Sequence, residues 1–148
     1  MKQQTVILFA READVPDILS IYASCQDNLP PLDPDGFLRL LRHNLRRSSV
    51  LLAVRGERAS GVCIYSPVLR RISLLAVLPE ARGMGVATAL LDEALRQLPP
   101  GDVSVETFCD DDMRGTAALA LYRKAGFHPV KRLYGYEYPM QELRLCRK

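Results

Sequence analysis

Metal and disulfide signatures are scarce in this chain of 148 residues. It has only two histidines and no C-x-x-C pair, a composition that argues against a zinc site. The four cysteines are scattered along the chain, and we expect them to be small packing residues rather than a disulfide framework. One of them, Cys109, follows a predicted strand and is the single cysteine that we consider as a nucleophile.

Long apolar segments are also missing. No apolar run reaches the roughly 18 residues that a membrane-spanning helix requires, so we expect no membrane partner. The first apolar stretch, Val6–Ala10, is too short for the core of a signal peptide. With 48% hydrophobic residues, the chain is predicted to form one domain over residues 1–148 and to be cytoplasmic.

A strong excess of positive charge is absent as well. The net charge of +3 is weaker than is typical of a nucleic-acid-binding surface, so no nucleic-acid partner is expected. Basic residues do cluster on the predicted helix after Pro34, opposite a stripe of leucines, which favours a solvated face over a steering patch for an anionic ligand. The cluster consists of Arg39, Arg42, His43, Arg46 and Arg47.

The most informative segment that is present runs from Arg71 to Leu91 as a strand, a glycine loop and a helix. The apolar run Ile72–Leu78 predicts a strand covered on both faces, and Pro79 ends it. Gly83 and Gly85 then place open backbone before a helix start, which is a favourable site for phosphate. Neither a nucleotide-hydrolysing P-loop motif nor the third glycine of a dinucleotide-binding fingerprint accompanies them.

The remaining pattern predicts a mixed α/β sheet with helices on both faces. Strands are predicted at Val6–Ala10, Val50–Val54, Gly61–Tyr65, Ile72–Leu78 and Val103–Phe108, with closing strands at Val130 and Tyr134–Leu145. Helices are predicted from Asp14 to Ser24, Asp35 to Arg47, Gly85 to Leu98 and Thr116 to Ala125, with Gly126 as a left-handed cap.

Two motifs in this order resemble the GCN5-related N-acetyltransferase (GNAT) family. The segment RGMGVA resembles the family signature R/Q-x-x-G-x-G/A, and AALALYRKAGF, ending at Phe127, resembles its second signature. The resemblance implies a GNAT-like fold and transfer of an acetyl group from acetyl-coenzyme A to an amine, without a metal. It places the coenzyme pyrophosphate on the backbone of the glycine loop and the pantetheine arm along the preceding strand. The residues concerned are Arg82, Gly83, Met84, Gly85, Val86 and Ala87 for the loop, and Leu75, Ala76 and Val77 for the strand.

The same resemblance suggests two catalytic residues. Tyr122 matches the family tyrosine that protonates the departing thiolate, although a tyrosine on an apolar helix face also serves as a packing anchor. Glu106, inside the strand Val103–Phe108, resembles a glutamate that acts as base in the ribosomal-protein alanine acetyltransferases. A position on the solvent face is an equal alternative for Glu106.

Two features depart from the family pattern. Gly115 stands where relatives often carry an asparagine that contacts coenzyme A, so that contact is missing or is supplied by a neighbour such as Arg114. The preceding loop carries the acids Asp110–Asp112, which favour a solvated loop or a helix cap over a binding site for a cationic amine. Aromatic residues between Tyr134 and Tyr138 suit either an acceptor pocket or packing.

The sequence therefore predicts an N-acetyltransferase that uses a direct ternary-complex mechanism on a small-molecule or protein amine. The alternative is a catalytically weak regulatory module that binds acyl-coenzyme A. Gly115 favours this alternative and Tyr122 opposes it. The acceptor is not defined by the sequence, and a homodimer is left open.

Overall fold

The computed structural model describes residues 4–29, 33–134 and 138–148. They form a seven-stranded sheet and four α-helices, in agreement with the predicted mixed α/β class. The strands are β1 (Thr5–Phe9), β2 (Val50–Arg55), β3 (Arg58–Ser66), β4 (Arg71–Val77), β5 (Val103–Phe108), β6 (His128–Leu133) and β7 (Met140–Leu145). The helices are α1 (Val15–Ser24), α2 (Pro34–Arg46), α3 (Val86–Gln97) and α4 (Thr116–Lys124).

The order of the strands in the sheet is β1-β2-β3-β4-β5-β7-β6. Neighbouring strands are antiparallel except for β4 and β5, which are parallel and are joined through α3. Strands β2 and β3 form a hairpin, since Arg55 pairs with Arg58 across a two-residue turn in which Gly56 has a φ of +63°. Strand β1 lies at one edge of the sheet.

The core lies on both sides of β3. Every residue from Ser60 to Tyr65 is buried, which requires cover on both faces because successive side chains of a strand point in opposite directions. Helix α3 packs on β1 to β4, α1 packs on β3 and β4, and α2 packs on β2 and β3. The predicted arrangement of helices on both faces is confirmed.

The chain end differs from the prediction. The last strand begins at Met140 and not at Tyr134, which lies outside a strand and is exposed. Pro139 immediately precedes β7 and has no N–H group to donate to the ladder with β5. The predicted cap at Gly126 is confirmed, because its φ is +103° and its N–H group donates to the carbonyl of Arg123. Residues 135–137, which the predicted strand included, lie outside the described residues.

Candidate active site

The glycine loop presents open backbone at the start of α3. Gly83 and Gly85 have φ values of +77° and +80°, and a Cβ atom built on either would meet nothing within 4 Å. Gly85 is the N-cap residue of α3, and no side chain caps this helix end. The first N–H groups of α3 therefore have no intrahelical partner and lie beside empty space, as an anion site requires.

The side chains around this loop divide into exposed and buried ones. Arg82 and Met84 are exposed, Ala87 is half-buried, and Val86 is buried in the core. Any contact of Val86 with a ligand must therefore come from its backbone. The structure brings the predicted loop residues Arg82 to Ala87 to one surface.

Strands β4 and β5 part shortly after they begin. They pair only at Arg71 with Ser104 and at Ile72 with Val105. Past these pairs, among the described strands, β4 pairs with β3 alone and β5 pairs with β7 alone, so a gap opens between β4 and β5. Cover on both faces was predicted for the whole run Ile72–Leu78, and this is wrong in its middle. Ser73 is exposed and Leu75 is half-buried, where β4 keeps β3 on one side but has no paired strand on the side of β5.

Two cavities occupy this gap and adjoin each other. The one near the glycine loop, about 140 Å³, is lined by Leu75–Val77, Arg82, Ala87 and residues of α4, and we call it the loop-side cavity. The other, about 510 Å³, extends along Arg71–Leu75 and Val105–Phe108, and we call it the strand-side cavity. Both are lined by Asn28, Leu29, Leu75, Ala118 and Tyr122.

Tyr122 lies at the junction of the two cavities. It projects from α4, is 4% exposed and contacts Phe127 edge-on at 5.4 Å between ring centroids. Within the described part of the chain, its hydroxyl group makes no hydrogen bond. Burial raises the pKa of Tyr122, and the nearby Cys63 raises it further, so the phenol keeps its proton at neutral pH. A protonated hydroxyl group is thus available where the cavities meet.

Glu106 lies in the wall of the strand-side cavity together with Arg71. The Nη2 atom of Arg71 is 3.9 Å from Oε1 of Glu106, and the two side chains are 34% and 30% exposed. Arg71 belongs to the short paired section of β4 and β5, and Glu106 directly follows that section on β5. Sequence reasoning selected Glu106 but missed Arg71, because their proximity depends on the register of two strands that are distant in sequence.

The carbonyl group of Val77 already has two donors. Nε of Arg82 donates to it at 3.2 Å, and the thiol of Cys25 donates to it at 3.2 Å. Burial raises the pKa of Cys25, which keeps this thiol protonated as a donor. Val77 is one of the three strand residues expected to pair with a pantetheine arm. To accept a hydrogen bond from that arm, its carbonyl group would have to give up or share the bonds from Arg82 and Cys25.

Gly115 is present for a steric reason. A Cβ atom at this position would lie 2.8 Å from Cβ of Phe108, which is closer than real Cβ contacts. No asparagine fits there without a shift of β5. Arg114 lines the loop-side cavity, donates to Asp112 at 3.0 Å and 2.6 Å, and lies 4.5 Å over the ring of Phe108.

An amide that sequence reasoning missed lies close to the same place. Nδ2 of Asn28 donates to the carbonyl of Arg114 at 3.2 Å, and Asn28 lines both cavities. No local motif marks it, because it reaches the site from a loop 86 residues earlier in the chain.

The acidic loop is tied to the protein itself. Asp112 accepts a hydrogen bond from the N–H group of Arg114 at 3.1 Å, which confirms the prediction that one of the acids caps a helix. Asp110 accepts from Nε2 of Gln141 at 2.9 Å and pairs with Arg123. These bonds lower the pKa of Asp110, with Gln141 as the larger cause, so it stays ionised.

The basic cluster on α2 is exposed, as a solvated face requires, while Phe37 and Leu41 bury the opposite side of the helix.

The four cysteines are free, and Cys109 is buried at the end of β5. No group of three or more metal-ligating side chains occurs in the described ranges. Within these same ranges no helix has the length and apolar character to cross a bilayer.

The fold of this chain is similar to those of solved acetyltransferases. Ard1 from Thermoplasma volcanium is 25% identical with a TM-score of 0.77, over 97% of this chain and 98% of that one. The ribosomal-protein-S18-alanine N-acetyltransferase from Escherichia coli is 17% identical with a TM-score of 0.77, over 98% and 95%. The acetyltransferase yncA from Salmonella typhimurium, described as putative and solved with acetyl-CoA, is 16% identical with a TM-score of 0.74, over 96% and 93%.

The sequence profile of the Acetyltransferase (GNAT) family matches residues 16–127, and the chain belongs to this family. No curated protein matches the chain. The predicted family and fold are thus confirmed, and the chain is an N-acetyltransferase that takes its acetyl group from acetyl-coenzyme A.

Proposed function

We propose that this enzyme transfers the acetyl group directly to a primary amine, with both substrates bound at once. The observation that carries the proposal is the meeting of the two cavities at Tyr122. A donor in the loop-side cavity and an amine in the strand-side cavity would contact each other there, so no covalent enzyme intermediate is needed.

The residues of the loop-side region fit acetyl-coenzyme A. Open space at Gly83 and Gly85 lets a pyrophosphate approach the backbone, and the uncapped start of α3 supplies N–H groups and a positive dipole end. The unpaired edge of β4 at Leu75 and Ala76 suits an extended arm that pairs as a strand would. When bound, the coenzyme supplies a thioester acetyl group.

Glu106 and Tyr122 take opposite ends of the proton transfer. An alkyl amine with a pKa of about 10.4 is almost wholly protonated at neutral pH and must lose a proton before it attacks. Glu106 accepts that proton from the strand-side cavity. As the C–N bond forms and the C–S bond breaks, the Tyr122 hydroxyl group donates its proton to the leaving sulfur, and the second proton that the new amide nitrogen loses restores the phenol.

The rival function is a regulatory module that binds acyl-coenzyme A without turnover. Gly115 favours it, because no side-chain amide stands at that position. Calorimetry with acetyl-coenzyme A and a thiol-release assay with a panel of amines separate the two functions. Saturable binding with thiol release that depends on the amine supports the enzyme, whereas binding without release from any amine supports the module.

A further inference from the structure

Arg71 has an unused donor inside the strand-side cavity. Its Nε atom is buried and has no hydrogen-bond partner among the residues that the structure describes. The contact of its Nη2 atom with Glu106, at 3.9 Å, is longer than the roughly 2.7–2.9 Å of a charge-assisted hydrogen bond. A buried donor without a partner costs free energy, so a ligand that supplies an acceptor here gains affinity.

The rest of this cavity is mainly apolar. Leu40, Leu69, Phe108 and Met140 contribute to its wall, and its volume of about 510 Å³ is in the range of small-molecule sites. The paired start of β4 and β5 lies next to Arg71 and closes the gap between these two strands. The site thus offers one cation, one carboxylate and an apolar wall within a confined space.

We propose that the acceptor is a compact amine with an anionic group beside its amino nitrogen and an apolar substituent, that is, an apolar α-amino acid or a close analogue. This inference rests on the proposed function. The guanidinium group of Arg71 binds the carboxylate in a fork, Glu106 faces the amino group, and the apolar wall contacts the side chain.

Other amine classes match these groups less well. A polyamine brings a second cation towards Arg71 and leaves its Nε atom without an acceptor. A peptide N-terminus has a neutral amide in place of the carboxylate, so it offers the Arg71 guanidinium group no charged partner besides Glu106. An anion close to the amine places an acceptor at Arg71 while the amino group faces Glu106.

The direct test is the binding of the acetylated product, which needs no turnover. N-acetyl-L-leucine and N-acetyl-L-leucinamide differ only in one group, which is an anionic carboxylate in the first and a neutral carboxamide in the second. By calorimetry we expect the acid to bind wild-type protein roughly 10- to 100-fold more tightly, as charge-assisted hydrogen bonds imply. Arg71→Gln should abolish this preference and Arg71→Lys should reduce it, because lysine keeps the charge but lacks the fork. The matched control Arg70→Lys, on the exposed neighbouring residue, should retain it.

Kinetics provide the second arm. Thiol release is measured with leucine, leucinamide, leucylglycine and spermidine, and kcat/KM should be highest for leucine. Equal binding of the two products by the wild type, or a preference that Arg71→Gln retains, overturns the inference. Acetylation of the peptide or the polyamine with kcat/KM at least as high as for leucine overturns it too. Absence of release from every amine would refute the proposed function, while the wild-type product comparison still decides the role assigned to Arg71.

Discussion

The two cavities that meet at Tyr122 are built in different ways. The loop-side region is built around one contiguous stretch, from Leu75 to Ala87, which offers backbone groups at the start of α3, and Asn28, Leu29 and residues of α4 complete its cavity. The strand-side cavity draws on side chains from distant segments, among them Leu40, Arg71, Glu106 and Met140. A site made of backbone serves a ligand common to the whole family, whereas a site made of side chains is free to define its own acceptor.

The largest expected effect concerns the backbone half. Gly85→Glu places a bulky negative charge where we expect a pyrophosphate, and affinity for acetyl-coenzyme A should fall by at least about 100-fold. Gly85→Asn is the matched control, since both residues must adopt a φ near +80° and asparagine tolerates it better than most. Calorimetry on folded proteins is the measurement. Undiminished affinity in Gly85→Glu would remove the loop from the donor site.

The next effect lies at the junction. Tyr122→Phe keeps the packing with Phe127 but removes the hydroxyl group, and kcat should fall by roughly 10²-fold, near the low end for a general acid. A thiol has a pKa of about 8.5, so its thiolate leaves with moderate help. Affinity for acetyl-coenzyme A should not change. Steady-state kinetics with an accepted amine would refute the role of Tyr122 if kcat were unaltered.

A smaller effect is expected at the wall of the strand-side cavity. Gly115→Ala adds a Cβ atom next to Phe108, and this overpacking should lower the free energy of unfolding by about 1–3 kcal/mol. Backbone strain does not contribute, because φ at Gly115 is −99°. Urea denaturation provides the value, with Ala120→Ser on the exposed side of α4 as control. An unchanged stability would mean that Phe108 yields and that sterics do not explain the missing asparagine.

The smallest effect separates the acidic loop from the acceptor site. A hydrogen bond from Arg114 lowers the pKa of Asp112, so its stabilising effect is present above the pKa of an unfolded aspartate, about 3.9, and is lost as the pH falls through the lowered value. Asp112→Asn should have a lower Tm than wild type at pH 7, and the difference should shrink as the pH falls below about 3.9. Asp111→Asn, at an exposed neighbour, should match wild type over the same range of pH. A raised KM for the amine with no change in Tm would instead assign Asp112 to acceptor binding.

The sequence predicted the backbone half because its signals are local. The strand Ile72–Leu78, the stop at Pro79 and the two glycines before α3 follow one another, so neither register nor packing was needed. The proposed roles of Glu106 and Tyr122 came from the family resemblance, and they remain predictions.

The side-chain half depends on long-range geometry. The contact of Arg71 with Glu106 follows from a parallel pairing of only two residue pairs, and Asn28 approaches from a loop before α2. The opening of the middle of β4 was missed for the same reason, since an apolar run does not reveal where its neighbouring strand turns away. Glu106 lies on β5 two residues past Ser104, which is the partner of Arg71. This acid was the one available signal for the pair, and it has meaning only once the register of the two strands is known.

The division of labour across the junction is the central claim, and the pH dependence of kcat/KM in Glu106→Gln tests it most directly. If Glu106 is the base, the loss should be greatest at low pH, where the free amine is scarce, and rising pH should restore activity. Tyr122→Phe should lower kcat/KM by a similar factor at every pH. Burial raises the pKa of this phenol, so Tyr122 does not titrate in the range of pH that is measured. A Glu106→Gln profile that coincides with that of the wild type would contradict the account.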